Sequence, residues 1–264
     1  MIRLLHLLKI GLYCLRMVQA FVQFLKNGLL SLSPRDLCLF SPPMVIFIAA
    51  AAWFVGRLHR MNRKAVPYTR KLFHFMIFSG AGLLQVRFGL KTVVLFGMWT
   101  SAAVLFAVAR GRGFPFYDAL ARPKDHPRET LFILVPLAAT ALGGVLSNLW
   151  FPDTAFLGIL VTGWADAIAE PVGARWGKHP YHVPSLFGVN ARRSLEGSAA
   201  VLATGIAAVA LCGAWMHWGV PNTLQIALAC GVTAAVVEAM SHHGLDNLTV
   251  HVAVSAVGGL LLRS

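Results

Sequence analysis

Long apolar runs that are continuous rather than alternating dominate this chain of 264 residues. Backbone N–H and C=O groups placed in lipid must be paired within the protein, which leaves helices or closed barrels. Barrel strands alternate apolar and polar residues, and these runs do not. Only 12% of the residues are charged and 57% are hydrophobic, about half the charged share of a soluble domain. The expected fold is therefore all-α: a polytopic transmembrane helical bundle of about eight spans plus an N-terminal amphipathic helix. The expected spans are Met44–Leu58, Leu72–Val86, Thr92–Val108, Leu131–Leu149, Ala155–Pro171, Leu195–Trp218, Thr223–Met240 and Leu248–Leu262. Several fall short of the roughly twenty residues that cross a bilayer without tilt or thinning.

The loops carry the charge. Arg57, Arg60, Arg63, Lys64, Arg70 and Lys71 follow the first span; Arg110, Arg112, Arg122, Lys124 and Arg128 follow the third; Arg175, Lys178, Arg192 and Arg193 follow the fifth. These are alternate loops, so all three fall on one face, expected to be cytosolic. That pattern accounts for the net charge of +13 without a nucleic-acid partner. Ahead of the spans, residues 1–43 read as a basic interfacial segment, and residues 44–264 as the membrane domain. Arg3, His6, Lys9, Tyr13, Arg16, Gln19, Gln23 and Lys26 recur every three or four residues among apolar ones, the pattern of a helix lying in the membrane surface. Pro34, Pro42 and Pro43 are expected to break the chain before the first span. The segment shows neither the uninterrupted apolar core nor the small-residue cleavage site of a signal peptide. The four cysteines form no C-x-x-C pair, so neither zinc nor a disulfide framework is indicated.

Five of the ten acidic residues, Asp166, Glu170, Glu196, Glu238 and Asp246, lie inside or at the ends of the last four apolar runs. A carboxylate there is costly unless it is paired, metal-bound or wet, and so marks a functional site. Asp166 and Glu170 stand one helical turn apart on one face. Left bare they repel; a divalent cation removes the repulsion, and Mg²⁺ is commonly held by one or two carboxylates plus substrate phosphates. The orientation of the spans brings all five acids to one membrane boundary. Arg175, Lys178, Arg192 and Arg193 reach the same level, where Ser194, Gly197 and Ser198 open a helix whose N-terminal amides and dipole suit a phosphate. Gly197 at the third helical position means that Ser194 starts no capping box. Asp246 and Asn247 follow a turn at Gly244, and Lys71 and His74 share a helix face at the same edge. Each element has a plainer reading. The Asp166/Glu170 pair can neutralise a Lys or Arg of the bundle, the loop bases can be topology signals, and Asp246 and Asn247 can be turn and cap residues. His242 and His243 read as loop residues, His74 as a packed one, and Gly173 and Gly177 as close-packing positions. Acids for a metal, bases for phosphate and a helix N-terminus at one depth point together to phosphoryl or nucleotidyl transfer.

Four motifs, in order, resemble the CTP-dependent polyprenol kinase family, which includes dolichol, phytol and farnesol kinases. They are Arg70-Lys71 with His74; Ala165-Asp166-Ala167 through Glu170, Gly173 and Gly177; Arg193-Ser194-Leu195-Glu196-Gly197-Ser198; and Glu238 with Asp246-Asn247-Leu248-Thr249. Gly177-Lys178-His179-Pro180-Tyr181 makes phytol kinase the nearest likeness. Three positions depart from the family pattern: Ala165 replaces a Gly, Arg193 a Lys, and His251 a frequent Pro. The resemblance implies a membrane enzyme that moves the γ-phosphate of CTP to a lipid alcohol with a divalent metal, Mg²⁺ or another. It implies metal ligation by Asp166 and Glu170, and triphosphate binding by Lys178, Arg192, Arg193, Ser194, Gly197, Ser198 and Asn247. Glu196, Glu238 or Asp246 is then the base, and Lys71 and His74 face the acceptor. The expected setting is a bacterial inner membrane, with the site at the cytosolic face. Two alternatives stand beside it: a phosphatidate cytidylyltransferase making a CDP-lipid, whose motif set is absent, and an ion-coupled transporter, whose acids belong near the midplane.

Overall fold

A computed structural model describes residues 18–19, 21–61, 66–184, 191–242 and 244–262. The expected amphipathic segment falls largely outside these residues; within it, 21–27 are helical. The first long helix, α1 (Pro34–Met61), starts at a reciprocal cap. Ser33 Oγ accepts the Asp36 N–H at 3.1 Å, and Asp36 Oδ2 accepts from the Ser33 N–H at 3.1 Å. Pro34 fills the first helical position, where a missing N–H costs nothing. Pro42 and Pro43 lie inside this 28-residue helix and do not break it, contrary to the sequence expectation. The buried face formed by Met44, Ile48, Ala51 and Val55 carries the helix past them, as neighbouring helices commonly do for proline within membranes.

Next come α2 (Val66–Phe88), α3 (Leu90–Arg110), the short α4 (Pro115–Leu120), a 3₁₀ turn (Pro123–Asp125), α5 (Leu131–Trp150) and α6 (Ala155–Trp176). Then a β-hairpin intervenes, β1 (Pro180–Val183) and β2 (Ala191–Ser194), before α7 (Leu195–Trp215), α8 (Val220–Met240) and α9 (Asp246–Leu261). The strands are antiparallel, with Pro180 opposite Ser194 and Tyr181 opposite Arg193. Sequence reading missed this hairpin, since four-residue strands are too short for alternation to register.

Among the described residues, six helices (α1, α3, α5, α6, α7 and α8) are long and apolar enough to cross a membrane. Two of the eight expected spans, those on α2 and α9, do not meet that length and composition, for two physical reasons. Helix α2 is long enough, but Lys71, His74, Gln85 and Arg87 lower its hydropathy; α9 has 16 residues. The exposed large apolar side chains include Trp53, Phe106, Leu211, Val220 and Leu260, as expected of a lipid-facing surface. The chain has the build of a multi-pass membrane protein.

Helix α6 is the hub: 61% of its span is buried, against 39% or less for the other five. It packs on α2, α7 and α9, and small residues let the backbones approach. A Cβ on Gly163 would lie 2.1 Å from Phe78 Cβ on α2, and one on Gly158 would lie 2.4 Å from His251 Cδ2 on α9. The bundle thus brings the starts of α2, α5, α7 and α9 and the ends of α6 and α8 to one end.

Candidate active site

A cavity of about 670 Å³ occupies that end. Its described lining holds five cationic side chains, Arg70, Lys71, Arg122, Arg192 and Arg193, against four carboxylates, Asp166, Glu170, Glu238 and Asp246. Near charge balance comes from two sets of ion pairs. In the first, Lys71 on α2 reaches across to α6: its Nζ is 2.6 Å from Asp166 Oδ1 and 3.3 Å from Glu170 Oε2. The repulsion expected between the two acids is therefore relieved here by the ammonium group. Arg122, just after α4, donates from Nη1 to Glu170 Oε1 at 3.3 Å, while its Nε and Nη2 grip both oxygens of Asp125 at 2.7 and 3.2 Å. Burial works against the Arg122 charge, but Glu170 and Asp125 outweigh it and hold the guanidinium above its ordinary pKa.

In the second set, Arg193 on β2 bridges two helices. Its Nε lies 2.9 Å from Glu238 Oε1 at the end of α8, and its Nη2 lies 2.9 Å from Asp246 Oδ2 at the start of α9. Asn247 is fixed by a 2.9 Å hydrogen bond from its Nδ2 to Thr140 Oγ1 on α5. Among the described residues, four buried polar atoms of the wall have no hydrogen-bond partner: Arg70 Nη1, Arg193 Nη1, His74 Nε2 and Glu238 Oε2. The His74 nitrogen stands 3.5 Å from Asp166 Oδ2, too far for a good bond. Buried polar atoms are seldom left so without reason.

The wall is closed by glycines. A Cβ on Gly177 would lie 2.8 Å from Ser194 Oγ, and one on Gly173 would lie 3.0 Å from the same atom. The hairpin end and α7 therefore seat tightly on the end of α6, as the close-packing reading expects.

The chain is 29% identical over 225 residues to the phytol kinase of Synechocystis sp. (strain ATCC 27184 / PCC 6803 / Kazusa), covering 79% of this chain and 88% of that protein. The sequence is polyprenol/phytol kinase-like. No protein-family model matches the chain, and no solved structure does.

Set against that likeness, the cavity gathers most of the residues singled out from sequence. Asp166, Glu170, Glu238, Asp246, Arg192, Arg193, Ser194, Gly197, Ser198, Asn247, Lys71 and His74 all line it. Glu196 and Lys178 do not. Glu196 turns to the hairpin, where its Oε1 lies 2.7 Å from His179 Nδ1; the Lys178 side chain is exposed. The N-terminal amides of α7 are also less available than expected. The Leu195 N–H donates to His179 O at 3.1 Å, and the Gly197 N–H donates to Ser194 Oγ at 3.1 Å. Ser194 thus caps the helix without a capping box. Arg70 stands in a family motif but receives no role from the sequence, and Arg122 receives neither; an arginine in a basic loop reads as a topology signal, and only burial separates it from its neighbours. Arg122 is 4% exposed, and that burial could not be read from the chain. Among the described residues, no group of three or more His, Cys, Asp or Glu side chains is arranged to hold a metal ion.

Proposed function

We propose that the chain is an integral membrane lipid kinase that transfers the γ-phosphate of CTP to an isoprenoid alcohol of the phytol or polyprenol type. The observation that carries this reading is the set of unpartnered buried atoms in one charged cavity: cationic nitrogens of Arg70 and Arg193 and a carboxylate oxygen of Glu238. A polyphosphate supplies acceptors for the first two, and a hydroxyl supplies a donor for the third. The likeness to phytol kinase supports the acceptor class. The donor nucleotide rests on the family motifs.

Arg70, Arg192 and Arg193 bind and neutralise the phosphates in this scheme. Glu238, oriented by Arg193 through its other oxygen, takes the proton as the lipid hydroxyl attacks the γ-phosphorus. The new O–P bond forms as the bond to the β-phosphate oxygen breaks, leaving the lipid monophosphate and CDP. Lys71 and His74 stand on the acceptor side. Asp166 and Glu170 offer hard oxygen donors one turn apart, a set that fits Mg²⁺. When bound, the ion would neutralise phosphate charge. Catalysis in such transfers is mainly positioning and charge neutralisation, and this wall provides both.

The test is purified protein with Mg²⁺, a panel of lipid alcohols, and CTP labelled at either the γ or the α position. A kinase puts the γ-label in the lipid; α-label in the lipid would replace this reading with a cytidylyltransferase. Ion-driven solute uptake by liposomes without CTP turnover would replace it with a transporter.

A further inference from the structure

Arg122 differs from the other arginines of the cavity in its burial. It lies on a connector between α4 and α5, yet it is 4% exposed, whereas Arg70 and Arg193 are half-buried and Arg192 is exposed. Asp125 behind it is also 4% exposed. The two form a planar fork-to-fork pair at 2.7 and 3.2 Å. Such a buried pair contributes little net stability, because both charges lose their water. What it does provide is orientation. With Nε and Nη2 both committed to Asp125, the plane of the guanidinium is fixed and Nη1 is left facing Glu170. That contact is the long one, at 3.3 Å. Glu170 in turn shares its other oxygen with Lys71 at 3.3 Å.

We infer that Arg122 is a phosphate-binding residue of this cavity, oriented by Asp125, and that its Nη1 exchanges Glu170 for a phosphate oxygen when a polyphosphate enters. The inference rests on the kinase reading for the nature of the ligand, while the anion site can be tested without turnover. The guanidinium held by Asp125 aims its Nη1 in a fixed direction, and a lysine there would be only a mobile point charge. Asp125 is a positioning residue: it does not line the cavity, and acts through the guanidinium it holds.

The experiment measures binding of inorganic tripolyphosphate and of CTP to detergent-purified full-length protein, by titration and by thermal shift, beside KM and kcat. Arg122→Gln should weaken both ligands about ten- to a hundredfold, the loss of one charge-assisted hydrogen bond. Arg122→Lys should recover only part of that. Asp125→Asn should raise KM for CTP with little change in kcat, a split that general destabilisation would not give. If Arg122→Gln fails to fold, Arg122→Lys and Asp125→Asn carry the same test. Unchanged affinity and KM in the folded variants would overturn the inference and leave the kinase reading intact. Arg122-dependent binding of tripolyphosphate without any transfer from CTP would keep the inference and overturn the kinase reading. A wild-type protein that binds no tripolyphosphate overturns the inference.

Discussion

Single side chains at this site do two kinds of work, and substitution separates them. Asp166 accepts from Lys71 and lies beside His74, so an asparagine there keeps the shape and removes the charge. Asp166→Asn should abolish phosphoryl transfer while protein abundance in the membrane stays unchanged; activity retained in that variant would refute the metal-binding role. Arg193 is different because two carboxylates depend on it. Arg193→Leu strands Glu238 and Asp246 in a wall where their side chains are only 12% and 16% exposed. Removing one partner from such a pair costs about 3–5 kcal/mol; partial exposure argues for the lower end. Thermal unfolding in detergent reads this loss, and Arg193→Lys should fall between wild type and Arg193→Leu.

At the level of elements, the hairpin and the α6–α2 seam decide whether the cavity closes. Ser194 ends β2 and caps α7 in one residue, its Oγ accepting from Gly197. Loss of that acceptor in Ser194→Ala should cost about 1 kcal/mol and loosen the hairpin, which limited proteolysis between residues 180 and 194 would detect. The Glu196–His179 contact ties the hairpin to α7 from outside the cavity. Glu196→Gln should therefore leave most activity in place, whereas Glu238→Gln should remove it; equal losses in the two would return Glu196 to the catalytic set. Gly163 meets Phe78 at the centre of the bundle. Gly163→Ala should lower stability by about 1–3 kcal/mol through overpacking, since a helical backbone cannot yield as a loop would.

For the molecule as a whole, every charged residue of the cavity sits at one end of the bundle, while Trp150, Trp215 and Trp218 mark the other. Single cysteines at Arg60 and Arg192 should therefore react with an impermeant thiol reagent from one side of sealed vesicles, and cysteines at Pro152 and Gly219 from the other. Labelling of both pairs from one side would refute the arrangement. Much of this was legible in the chain. Uninterrupted apolar runs dictate helices, because lipid offers no partner to an open backbone. Asp166, Glu238 and Asp246 stood out because acids in such runs are expensive. Membership of the site was not legible. Lys71 and Asp166 are 95 residues apart, Arg193 and Asp246 are 53 apart, and Arg122 and Glu170 are 48 apart. Local pattern gives the depth of each side chain, and depth alone placed Glu196 and Lys178 with the rest. Packing decided which side chains at that depth face the cavity. Gly173 and Gly177 of α6 seat Ser194 at the start of α7, Glu196 pairs with His179 instead of lining the cavity, and folding of the α4–α5 connector brought Arg122 in. The sequence by itself determined a helical membrane bundle with its polar chemistry at one end; only tertiary packing chose the partners, because an ion pair forms between side chains that meet in space, whatever their separation along the chain.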